Sequence, residues 1–203
     1  MTEAPTLAGR VSAVVIGASA GGIEALMRML PALPGRLSVP IFIVIHLPRE
    51  RPSLLAPLFG ARCAAPVREA EDKLPVEIGT IYFAPPDYHL LLDKGPSLAL
   101  SADEPVNYSR PAIDILFESA IDVYGARLAA VVLTGANDDG AAGIAAVQRT
   151  GGIAIVQDPK TALFPAMPAA ALKRIAANFV LPLDEIIALL LTIDGSTVTK
   201  VDA

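Results

Sequence analysis

Val14-Val15-Ile16-Gly17-Ala18-Ser19-Ala20-Gly21-Gly22-Ile23-Glu24-Ala25-Leu26, residues 14–26, is the stretch whose reading decides the fold. Val14 to Ile16 carry the stiff, branched side chains of a buried strand. Ile23, Leu26, Met27 and Leu30 recur at helical spacing. A small-residue turn therefore joins a strand end to a helix start, where unpaired N–H groups and the positive end of the helix dipole suit an anion or a developing oxyanion. Three readings compete for that turn. A dinucleotide fingerprint needs a middle glycine where Ser19 stands and an acid closing the next strand, yet Ile41 to Ile45 ends in His46. Gly17 to Gly21 matches G-x-S-x-G, a serine nucleophile on a tight strand-to-helix turn, but no histidine follows His89, so the usual α/β-hydrolase order of serine, acid, histidine is missing. The third reading is a βα turn with a serine N-cap and no chemistry. On this stretch alone the second and third stand level.

The chain has 203 residues, 53% of them hydrophobic and 18% charged, and a mean hydropathy of +0.54. That suits a single domain built on parallel strands covered on both faces. No apolar run is long enough to span a bilayer; Ile186 to Ile193 lies between acidic residues and reads as a terminal helix. The N-terminus lacks the cationic start and apolar region of an export signal. Cys63 is the single cysteine, which fits a reducing cytoplasm, and a net charge of −5 speaks against broad nucleic-acid binding. Two dispersed histidines and one cysteine form no ligand-spaced cluster, so neither metal nor cofactor is expected.

Outward from the first turn, Pro31 to Pro40 returns the chain to a second strand, Ile41 to Leu47. A parallel βαβ unit places His46 at the same sheet edge as Ser19. Arg51 to Phe59 reads as a short helix. Residues 65–100 read as small strands at Val67-Arg68, Thr80 to Ala84, His89 to Asp93 and Ser97 to Leu100, with a hairpin at Lys94-Gly95-Pro96. His89 is assigned a structural role. Ala112 to Tyr124 is a helix with Arg110 at its entry, a candidate to hold an acidic substrate surface. Leu128 to Leu133 is a buried strand ending in Thr134-Gly135-Ala136-Asn137-Asp138-Asp139-Gly140, so a third strand end carries a carboxylate, with an Asp N-cap as the plain alternative. A helix at Ala141 to Arg149, a strand at Ile153 to Gln157, a loop and helix at Thr161 to Ala177, a strand at Phe179 to Leu181 and a helix capped by Asp184 complete the chain. The expected fold class is α/β, a doubly wound, mostly parallel sheet with helices on both faces and a small antiparallel hairpin part. Disordered tails are expected at 1–10 and 195–203.

With three strand ends in hand, the chain resembles the catalytic domain of the chemotaxis receptor methylesterases, the CheB-type protein-glutamate methylesterases. The matching pieces are IGASAGGIEAL (16–26), VIHLP (44–48), IYFAPPDYHLLL (81–92), VNYSRPAIDILFESA (106–120) and LTGANDDGAAG (133–143), in the family's order and over most of the chain. The resemblance implies Ser19 as nucleophile, His46 as general base and Asp139, rather than Asp138, as orienting acid. It implies hydrolysis of glutamyl methyl esters with release of methanol, deamidation of selected glutamines, and methylated chemoreceptor or related receptor cytoplasmic helices as partners. Main-chain N–H groups around Ala20, Gly135 and Ala136 are the candidate oxyanion donors.

Three positions depart from the family pattern. Ala20 replaces a frequent threonine, which removes a hydroxyl and is expected to lower the rate, Ala136 replaces a frequent methionine, and Ala112 follows Arg110-Pro111 where a serine is frequent. Family members usually carry an N-terminal receiver domain over the site, whereas here the esterase motifs begin almost at Met1, so an open site is expected. Two other functions compete: a catalytically weak esterase-like module that binds a receptor or signalling partner, and a small-molecule esterase, which requires a deep apolar pocket.

Overall fold

The computed structural model of the chain describes residues 5–47 and 53–195. Its elements run β1 (Ala13–Ala18), α1 (Gly22–Met29), β2 (Ile41–Ile45), α2 (Leu55–Gly60), β3 (Val67–Glu69), β4 (Ile81–Phe83), β5 (His89–Asp93), β6 (Ser97–Ser101), α3 (Ile113–Tyr124), β7 (Leu128–Val132), α4 (Ala141–Arg149), β8 (Ile153–Gln157), α5 (Ala166–Arg174), β9 (Phe179–Leu181) and α6 (Leu183–Leu191).

Seven of the strands form one parallel sheet in the order β3-β4-β2-β1-β7-β8-β9, and β5 and β6 form a separate antiparallel hairpin. Both faces of the sheet are covered, so its central strands carry apolar residues on consecutive positions. Val14, Ile16 and Ala18 face one layer with Leu26, Met29 and Ile186 of α1 and α6; Ala13 and Val15 face the other with Ile113, Phe117 and Ile144 of α3 and α4. Phe42 stacks on Tyr82 in the second layer, with ring centroids 5.6 Å apart. No helix among the described residues is long and apolar enough to cross a membrane.

The strand order decides where a site can form. From β1 the chain moves outward to β2, and later returns to place β7 on β1's other side. β1 is therefore flanked by strands reached in opposite directions, and the carboxyl ends of β2, β1 and β7 border the crevice where open α/β sheets bind ligands. Ala18 lies opposite Ile45, and Gly17 opposite Val132, so the three strands end level with one another.

Some expectations change. Leu7 lies inside the segment expected as a tail but is fully buried, and its amide donates to Thr192 Oγ1 at 2.8 Å, while residues 8–10 are exposed. Of the expected tails, residues 1–4 and 196–203 lie outside the described residues, as do Arg51 and Pro52 of the expected short helix, which begins at Leu55. Asp184 does not cap α6. Pro182 occupies the N-cap, and Asp184, one residue into the helix, pairs with Arg28 of α1 at 2.6 Å.

Candidate active site

Ser19 follows β1 directly, and its amide donates to Thr134 O (3.0 Å), while the His46 amide after β2 donates to Ala18 O (3.2 Å). These bonds extend the ladder past the strand ends and fix both side chains at the crevice. The serine does not cap α1: Gly21 holds the N-cap with φ of +74°, a conformation that strains any residue with a Cβ. Thr134 ties the two turns together. Its hydroxyl donates to Ala20 O (3.0 Å) and accepts from the Phe164 amide (2.9 Å), and its own amide donates to Gln157 Oε1 (2.9 Å).

Ser19, His46 and Asp139 form one hydrogen-bonded series. His46 Nε2 is 2.8 Å from Asp139 Oδ2, and His46 Nδ1 is 3.1 Å from Ser19 Oγ. An ionised carboxylate only accepts, so Nε2 carries the ring proton and Nδ1 turns its lone pair to the serine hydroxyl. The ring is turned the opposite way from the serine-protease template, where Nε2 faces the serine; either nitrogen serves as base. The imidazole is 14% exposed and the carboxylate fully buried.

The Asp139 carboxylate caps the start of a helix from another segment of the chain. Its Oδ2 accepts from the Ile113 amide (2.7 Å), and its Oδ1 from the amides of Asp114 (3.1 Å) and Gly140 (3.0 Å) and from Asn107 Nδ2 (3.3 Å). Ile113 and Asp114 open α3, whose own N-cap, Ala112, has no side chain to do this work. Burial alone pushes the Asp139 carboxyl up, but the hydrogen bond from His46, the Ile113 and Asp114 amides and the nearby His46 charge outweigh it and hold the group below the usual carboxylate range. The approach of α3 depends on Gly17, since a Cβ there would run into the Ile113 side chain. His89 is structural, as expected: Nε2 bonds Glu104 O (3.1 Å) and Nδ1 accepts from the Ala112 amide (3.1 Å), which fixes the entry to α3.

Beside this series, Asp114 accepts from the Gly143 amide (2.6 Å) and from Asn107 Nδ2 (3.0 Å). Burial, the largest influence, raises its pKa, and the charge of Asp139 adds to the rise.

Two expected site residues have other roles. Arg110 is not available to a substrate: Nε and Nη2 reach Asp87 Oδ1 (3.1 and 2.7 Å), and Nη1 donates to the carbonyls of Ala102 and Asp103 (2.7 and 3.0 Å). Gly135 is no oxyanion donor, because its amide donates to Phe164 O (3.0 Å); its bare α-carbon instead admits Met167. Among the described residues, nothing accepts from the amides of Ala20 and Ala136. The sequence reading missed Asn107 and Asn137. Asn137 Nδ2 lies 3.3 Å from His46 Nδ1, and its Oδ1 accepts from the Asp139 amide at 3.4 Å. The described residues hold no group of three or more His, Cys, Asp or Glu suited to a metal ion. A groove of about 460 Å³ between β5, α3 and α4 includes none of the three aligned residues.

Comparison with known proteins bears on the family and the fold. A family model described as CheB methylesterase matches residues 14–190. A protein of Leptospira interrogans, provisionally named protein-glutamate methylesterase/protein-glutamine glutaminase, is 43% identical over 188 residues, covering 93% of this chain and 97% of that protein. The protein-glutamate methylesterase/protein-glutamine glutaminase of Symbiobacterium thermophilum is 39% identical over 173 residues, 85% of this chain but 48% of its own length. The chain thus spans about half of that relative and nearly all of the first. The crystal structure of the Thermotoga maritima CheB methylesterase catalytic domain superposes with a TM-score of 0.85 at 34% identity, covering 89% of this chain and 97% of that one.

Proposed function

The chain belongs to the CheB methylesterase family, and from that premise we propose that it is a protein-glutamate methylesterase and protein-glutamine glutaminase working as one catalytic domain. Its substrates in this reading are glutamyl methyl esters and glutamines on chemoreceptor cytoplasmic helices. The observation that carries the reading is the Ser19–His46–Asp139 series at the crevice. Ser19 Oγ attacks the side-chain carbonyl while its proton passes to His46 Nδ1. Asp139 fixes the tautomer and stabilises the imidazolium that forms. The Ala20 and Ala136 amides receive the oxyanion. The tetrahedral centre collapses, Nδ1–H protonates the departing methoxide, and methanol leaves. Water activated by the same nitrogen then attacks the acyl-serine and releases the glutamate. With a glutamine substrate the leaving group is ammonia, and the remaining steps are the same.

Exposed Leu163 and Phe164 beside the serine turn support a protein substrate, since they offer an apolar rim to another surface. Cys63, the single cysteine, supports action in a reducing cytoplasm. The test is methanol release from a methylated receptor cytoplasmic fragment by the native protein and by Ser19→Ala. Release that depends on Ser19 supports the assignment. A native protein that binds the fragment but releases no methanol is a receptor-binding module instead.

A further inference from the structure

We propose that the side chain of Asn137 is an additional catalytic group, a donor that leaves His46 for the oxyanion as the reaction proceeds; the inference rests on the esterase reading. In the resting protein two donors compete for one lone pair. Ser19 Oγ lies 3.1 Å and Asn137 Nδ2 3.3 Å from the same nitrogen, His46 Nδ1. Nε2 cannot relieve the competition, because its proton is held by Asp139. Asn137 is oriented from its other end, where Oδ1 accepts the Asp139 amide, so Nδ2 is directed at the reacting pair.

This competition ends at the first chemical step. As the Ser19 Oγ–C bond forms, the serine proton moves to Nδ1 and the carbonyl π pair moves onto oxygen. Nδ1 changes from acceptor to donor, and Asn137 Nδ2 loses its partner just as a negative oxygen appears on the carbon bonded to Oγ. A half-buried amide donor without an acceptor is costly, and an oxyanion is the strongest acceptor within reach. The side chain is satisfied in the ground state by His46 and in the transition state by the oxyanion, alongside the Ala20 and Ala136 amides. Its contribution grows along the reaction coordinate, which is the condition for catalysis. The alternative is a brace that only holds the turn of residues 135–140 through the Asp139 amide.

Two variants separate these roles. Asn137→Asp keeps an acceptor for the Asp139 amide but has no donor and adds charge; Asn137→Leu is neutral and lacks both donor and brace. Each is assayed on a methylated receptor cytoplasmic fragment and on 4-nitrophenyl acetate, an activated ester that needs no receptor contact, with the rate left in Ser19→Ala subtracted as background. For a side-chain oxyanion donor, kcat falls about 10²-fold or more in both variants and on both substrates, with KM within about twofold of native. A brace predicts loss in Asn137→Leu alone, and a pure charge effect predicts loss in Asn137→Asp alone. If either variant keeps kcat within about threefold of native, the proposal is overturned. Native protein that hydrolyses 4-nitrophenyl acetate but not the receptor ester refutes the methylesterase reading and leaves the Asn137 comparison standing. Native protein inert on both substrates refutes both.

Discussion

Replacing Asp139 by asparagine removes one charge and almost no volume, so its effects follow directly from the hydrogen bonds around the carboxylate. Five donors converge on it: His46 Nε2 and the Ile113 amide on Oδ2, and the Asp114 and Gly140 amides and Asn107 Nδ2 on Oδ1. An amide offers one acceptor oxygen and an NH₂ group. Placed at Oδ1 the NH₂ faces three donors, so the less costly arrangement puts it at Oδ2. There it strands the Ile113 amide and one of its own hydrogens, and it drives the His46 proton to Nδ1, where the serine needs a lone pair. Two stranded buried groups at about 1–3 kcal/mol each give about 2–6 kcal/mol, which for a domain of this size lowers the melting temperature by about 5–20 °C. The wrong tautomer lowers kcat by about 10⁴, the scale known for serine triads. Acid adds a signature. The folded Asp139 carboxyl lies below its unfolded value of about 3.9. Its stabilisation is therefore complete above that value and is lost as the pH falls through the folded pKa. The stability gap between native protein and Asp139→Asn must close as the pH drops below about 4. Thermal melts from pH 3 to pH 8, with methanol release at pH 7, test this. A variant that melts within about 2 °C of native and keeps more than about a tenth of its activity would refute the reasoning.

Gly17→Ala drives a methyl group into Ile113 in a fully buried layer, which costs about 1–3 kcal/mol. It also displaces the α3 amides that hold Asp139, so kcat falls by about tenfold or more; melts and kcat together check this, and unchanged kcat would show that α3 does not position the acid. Arg110→Ala breaks a partly exposed pair with Asp87 and two bonds to carbonyls, so stability drops by about 1–2 kcal/mol while KM for a receptor fragment holds. A rise in KM without a change in melting temperature would return Arg110 to the substrate.

The architecture was legible because its signals are local. Val14 to Ile16, Ile41 to Ile45, Leu128 to Leu133 and Ile153 to Gln157 are apolar runs of strand length separated by helical periods, and their pattern specifies a covered parallel sheet. The handedness of βαβ crossovers alone assigns the strand ends to one edge and so puts Ser19 and His46 together. What escaped the sequence depends on contacts between distant segments. Asn107 meets Asp139 across 32 positions, and Asn137 meets His46 across 91, and no periodicity marks such pairs. Arg110 was placed on the site because it precedes a helix in a matching motif; that Asp87 and two carbonyls consume its guanidinium is set by the fold of the 87–110 segment. Asp139 followed a local rule for an N-cap and broke it in an informative way. Gly140 caps α4, while the carboxylate caps α3.

That displacement of the cap explains why stability and chemistry cannot be separated here. A serine triad needs its acid buried and ionised next to the histidine, and burying an isolated carboxylate is strongly unfavourable. The fold offsets that cost with the helix N-terminus it must satisfy in any case: α3 supplies two amides and its dipole, and the close approach of those amides is permitted by Gly17 in the strand that also carries Ser19. The unusual chain order of serine, histidine, acid then has a structural origin. Ser19 and His46 follow β1 and β2, and the acid follows β7, whose turn sets the carboxylate against the amides that open α3.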